Sequence, residues 1–128
     1  ITPIGSFRIK KILFRKDRVK NLKTKIIKIP IKRDMVWCDN PNSSQYNKLI
    51  RSSNEIKSER LFRSDNIYDI IFVLDYNMSP TRKNKGSAIF VHIAKRKFTP
   101  TKGCVAIQKR EIKKLLKFID KKTIVKIF

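Results

Sequence analysis

A chain of 128 residues with 41% apolar content can build one domain around a real core and is too short for two ordinary ones. Thirty-two Lys plus Arg against ten Asp plus Glu give a formal charge of +22, which invites a polyanionic partner: nucleic acid, an anionic membrane surface or an anionic cell-wall polymer. Scarce Gly and Pro argue against low complexity, no apolar run approaches the ~20 residues of a helical membrane span, and two cysteines with one His make neither a disulfide scaffold nor a zinc cluster.

The first predicted element is the alternating, Ile- and Phe-rich "IGSFRIKKILFRK", which reads as a strand with a bend. "KTKIIKIPI" is a second strand, with Pro30 marking an edge or an end because proline cannot donate to a ladder. Residues 34–66 then turn polar, rich in Asn and Ser, and carry the only Trp; they read as a long excursion with little regular structure. "IYDIIFVLDYN", residues 67–77, is a near-continuous apolar run and reads as a central strand. "MSPTRKNKG" is a turn, and "SAIFVHIA", residues 87–94, is the next strand, with His92 near its end. After the loop "KRKFTPTKG" comes the short strand "CVAI".

In "REIKKLLKFI", residues 110–119, apolar Ile112, Leu115, Leu116 and Ile119 fall at i, i+3, i+4 and i+7, one face of a helix. "TIVKIF" closes the chain as a strand. The sum is mainly β with one clear helix, an α+β fold built as a small barrel-like or rolled mixed sheet in a single domain over residues 1–128.

His92 and Cys104 are the residues with chemical potential. A hairpin-like return after His92 would bring the two side chains face to face, where an imidazole lowers a thiol's pKa and makes a nucleophile. Gly103, lacking a Cβ, would let a carbonyl approach the backbone, and Lys102 would add positive potential. The plainer alternative is a small buried cysteine and an ordinary strand histidine. A Cys38–Cys104 disulfide is the one bridge the chain could form, and Cys38 reads as packing. Lys outnumbers Arg 22 to 10 and is spread along the chain, which fits compositional drift better than a dedicated nucleic-acid surface, since nucleic-acid readers favour Arg. No metal or cofactor is called for.

"GSAIFVHIAKRKFTPTKGCVAI" resembles the active-site segment of the L,D-transpeptidases, the YkuD-like family of cell-wall enzymes. There a His in a strand precedes a Ser/Thr-x-Gly-Cys motif, here Thr101-Lys102-Gly103-Cys104, with Gly86-Ser87 opening the strand. "TPIGSF" resembles the family's Thr-Pro-x-Gly-x-Phe, and "WCDNPNSSQYNKLI" and "VLDYN" resemble segments of a stand-alone branch. The family pattern has sequence before its Thr-Pro-x-Gly, so the resemblance implies a chain that starts after the family's first strand. Many members carry His where Lys102 stands, and Arg or Asn where Ala106 stands.

The resemblance implies a peptidoglycan L,D-transpeptidase: Cys104 as nucleophile, His92 as general base, backbone N–H groups at Gly103 and Cys104 as oxyanion donors, and Thr101 ordering the motif. It makes Thr101, Lys102, Ser87, Trp37, Tyr46 and Tyr76 candidate substrate-binding residues, the aromatics lining a groove formed by the long excursion unless they serve as packing. It places the protein in the bacterial cell envelope, periplasmic or secreted, with peptide stems as partners and no specific nucleic acid. Alternatives on the same site are an L,D-carboxypeptidase or endopeptidase; away from it, a non-catalytic cationic domain that binds nucleic acid or the wall.

Overall fold

The computed structural model describes residues 3–51, 57–78, 80–94 and 104–128. The first strand, β1 (Gly5–Phe14), is shared by three partners. Its first half pairs antiparallel with the last strand, β9 (Ile124–Ile127), in register Gly5↔Ile127 to Arg8↔Ile124. Its second half pairs in parallel with β2 (Lys28–Pro30) and antiparallel with β6 (Ile70–Leu74). A register shift between Ile9 and Lys11 supplies the bend expected from sequence, as an extra residue in one strand increases local twist. Pro30 ends the edge strand β2, where its missing N–H costs no ladder bond.

From β6 the sheet continues to β7 (Phe90–Ile93), antiparallel, and then to β8 (Val105–Ile107), parallel, giving the order β2-β1-β6-β7-β8. The sheet is mixed and, among the described residues, does not close into a barrel. The hairpin-like return expected between His92 and Cys104 is not what forms: β7 and β8 run parallel. Residues 94–104 are too long a link for a tight hairpin and come close to the dozen or so that a parallel return needs.

The excursion over residues 34–66 also differs from expectation. It holds β3 (Met35–Cys38), β4 (Leu49–Arg51) and β5 (Ser58–Arg60), which form a second, antiparallel sheet of order β4-β3-β5. These strands are three or four residues long, so no stretch of alternation is long enough to announce them.

Both faces of the main sheet are covered, which explains the unbroken apolar run at β6. Ile70, Phe72 and Leu74 point to one cluster, closed by Ile112, Leu116 and Ile119 from the helical segment and by Val19, Leu22 and Ile26. Ile71 and Val73 point to the other, closed by Met35, Trp37, Leu61 and Tyr68. The helix α1 (Lys109–Leu115) thus lies on one side and the small sheet on the other. Leu115, expected on the apolar face, is instead 38% exposed.

Candidate active site

The parallel register decides which side chains share a face. Val91 lies opposite Val105 and His92 opposite Ala106, so Cys104 comes level with Phe90. Side chains alternate along a strand. Val91, Ile93, Val105 and Ile107 turn to the helix side, while Phe90 and Cys104 pack with the cluster under the small sheet. His92, two residues after Phe90, lies on that same side, with its ring 5.5 Å from that of Tyr68. The imidazole and the thiol therefore sit on one face, on adjacent strands, as diagonal neighbours.

His92 is 5% exposed. Its Nδ1 lies 2.9 Å from the Ile93 carbonyl oxygen. A carbonyl can only accept, so Nδ1 carries the proton and the neutral ring keeps its lone pair on Nε2. Burial pushes the His92 pKa down; the Ile93 carbonyl, Glu59 and Asp65 oppose this and Arg63 adds to it.

Cys104 is half-buried, and its Sγ donates to the Ala88 carbonyl at 3.2 Å. Burial pushes its thiol up to about 11, against a Phe90 amide that favours the thiolate, and the negative charge of Glu59 raises it further. The resting pair is thus a neutral thiol beside a neutral imidazole. The lowered thiol pKa expected from sequence is not found, because desolvation outweighs the hydrogen bond. Neither Cys38, which is fully buried, nor Cys104 is in a disulfide.

Ala88 carries an uncommon φ of 55°. Its carbonyl accepts the hydrogen bond from the thiol, and its N–H donates to Asn47 Oδ1 at 3.2 Å. Asn47, itself at φ 60°, also accepts from Trp37 Nε1 at 3.0 Å and donates to the Tyr76 and Asn77 carbonyls at 3.1 and 2.8 Å. One buried amide thereby ties the small-sheet segment to the backbone that receives Cys104. Sequence reading missed both residues; an Asn in an Asn- and Ser-rich stretch gives no signal of such a role.

The other candidates sit nearby in this clamp. Trp37 is 1% exposed and stacks edge-on against Phe90 at 5.2 Å. The Tyr46 hydroxyl accepts the Gly86 N–H at 3.2 Å, and the Tyr76 hydroxyl donates to the Lys85 carbonyl. Ser87 Oγ donates to the Cys38 carbonyl at 3.2 Å. Gly86 is needed here: its φ is 118°, and a Cβ would lie 2.9 Å from the Tyr76 ring. Trp37 and Tyr46 are core residues, and the hydroxyls of Ser87, Tyr46 and Tyr76 are already engaged. Thr101, Lys102 and Gly103 lie outside the described residues.

The family model of the YkuD L,D-transpeptidase catalytic domain matches residues 1–127. The chain belongs to this family. No curated protein and no solved structure matches it. Membership of the YkuD family fits peptidoglycan as the substrate polymer and a function in acyl transfer at the cell wall. Among the described residues no helix is long and apolar enough to cross a membrane, and no group of three or more His, Cys, Asp or Glu could hold a metal ion.

Proposed function

We propose that this protein is a cysteine-dependent L,D-transpeptidase acting on peptidoglycan stems in the bacterial envelope, with Cys104 as nucleophile and His92 as general base. The observation that supports it most is the shared face: the parallel register puts the thiol and an imidazole with its lone pair on Nε2 on one side of the sheet, inside a YkuD domain.

The chemistry follows from the resting state. Nε2 takes the Sγ proton as sulfur attacks the carbonyl of the L-centred third stem residue. The tetrahedral intermediate collapses, the amide C–N bond breaks, and the imidazolium returns its proton to the leaving D-Ala amine. A thioester on Cys104 remains. An acceptor amine attacks that carbonyl, His92 Nε2 takes its proton, the C–S bond breaks as the new amide forms, and the imidazolium returns the proton to Sγ to regenerate the Cys104 thiol. Backbone N–H groups at Gly103 and Cys104 stabilise the oxyanion, and Thr101 and Lys102 order and polarise the motif. A neutral resting pair protects the sulfur until a substrate is seated. Ser87, Trp37, Tyr46 and Tyr76 build the wall behind the nucleophile rather than contact the stem through their polar groups.

The test is turnover of a disaccharide-tetrapeptide analysed by mass. Loss of D-Ala with formation of a crosslinked dimer is expected, and both vanish in Cys104→Ala. Loss of D-Ala without a dimer identifies a carboxypeptidase on the same site. An unchanged substrate with folded, reduced protein contradicts the proposal.

A further inference from the structure

Glu59, Tyr68 and His92 form a line from the small sheet into the main one. Glu59 is on β5, Tyr68 precedes β6, and His92 is on β7. The Tyr68 hydroxyl donates to Glu59 Oε1 at 2.6 Å, a short charge-assisted bond. The Tyr68 ring meets the imidazole at 5.5 Å between centroids with the planes at 74°. Phe90 meets the Tyr68 ring at 5.8 Å, and the Arg63 guanidinium lies 5.4 Å from its centroid. Arg63 is itself clamped by Asp65 through bonds of 2.9 and 2.7 Å. Tyr68 is therefore held at its hydroxyl and on its ring, and it walls the imidazole.

The sign of the charge at Glu59 is informative. A carboxylate here disfavours a thiolate at Cys104, so it does not serve to pre-ionise the nucleophile. It favours a positive charge on His92, as does Asp65, while Arg63 opposes it. The group that benefits from Glu59 is the imidazolium that forms only when the thiol proton is taken.

We infer that Tyr68, anchored by Glu59, is the positioning residue for His92: its ring fixes the imidazole plane while the Ile93 carbonyl fixes Nδ1, and the carboxylate supports the imidazolium formed during attack. The inference rests on the reading of His92 as the base. Glu59 belongs to the small sheet, so that sheet takes part in catalysis and is more than a cover for the core.

His92 is the only histidine, so its ring resonances can be followed by NMR without assignment ambiguity. Glu59→Gln keeps an acceptor for Tyr68 and removes only the charge; Tyr68→Phe keeps the ring and removes the tether. Expected for Glu59→Gln is a His92 titration midpoint below that of wild type with the Nδ1-protonated tautomer retained. Expected for Tyr68→Phe is a mixed tautomer population and acylation by a β-lactam slowed up to about a hundredfold, the scale of a catalytic group displaced by about 1 Å. Wild-type midpoints and tautomers in both variants, each folded by near-UV circular dichroism, would overturn the inference. The NMR arms need no turnover, so their failure is distinguishable from an inactive Cys104.

Discussion

At the scale of single residues, the resting protonation state is the point on which behaviour turns. Burial penalises the charged form of both groups, raising the Cys104 thiol to about 11 and lowering His92. Because the thiol pKa is raised, the thiolate fraction is minute at neutral pH and grows as pH climbs toward 11. Alkylation of Cys104 by iodoacetamide, followed at the peptide level, should therefore accelerate about tenfold per pH unit from 7 to 10. A rate already on a plateau at pH 6 to 7 would mean a pre-formed thiolate–imidazolium pair. The Gly103-Cys104 pair stands out in the sequence through its resemblance to the family motif. The microenvironment was not: it comes from Glu59, Asn47, Tyr68 and Ala88, whose meeting depends on packing between two sheets.

At the scale of elements, strands announced by long β-branched runs were read correctly. β6 and β7 lie where their apolar runs are, and the bend in β1 is a register shift. The three strands of the small sheet were missed, being too short to show a period. The hairpin between His92 and Cys104 was misread because chain spacing alone does not distinguish a return from a parallel crossover. The helix shows a third kind of error. A four-residue apolar stripe suggested that Leu115 is core, yet the seven-residue α1 buries Ile112 completely and leaves Leu115 at the rim. Ile112→Ala should cost about 3 kcal/mol in urea unfolding, as truncation of a filled core site does, while Leu115→Ala should stay under about 1 kcal/mol. Equal costs would mean that the helix sits on the sheet with a different face.

At the scale of the whole molecule, the excess of 22 positive charges is spread over the chain rather than gathered at the candidate site. Around the cavity of about 460 Å³ lined by Arg15, Arg18, Arg60, Phe62, Arg63, Ser64 and Asp65, three of the four arginines are bound into the scaffold. Arg15 is paired with Asp17, Arg18 with Asp69, and Arg63 with Asp65. Such a distribution gives long-range attraction to an anionic polymer, not a specific grip. Retention on isolated sacculi should fall severalfold between about 50 and 200 mM salt, and acylation by a small soluble β-lactam should barely change. Salt-independent retention would point instead to a dedicated binding surface.

The measurement that bears most directly on Cys104 as nucleophile and His92 as base is intact-mass spectrometry of the reduced protein after incubation with a carbapenem, a class that acylates the YkuD family. Expected is a one-to-one covalent adduct in wild type, none in Cys104→Ala, and slow formation in His92→Ala. An adduct that persists in Cys104→Ala, or no adduct on folded wild-type protein, would contradict it.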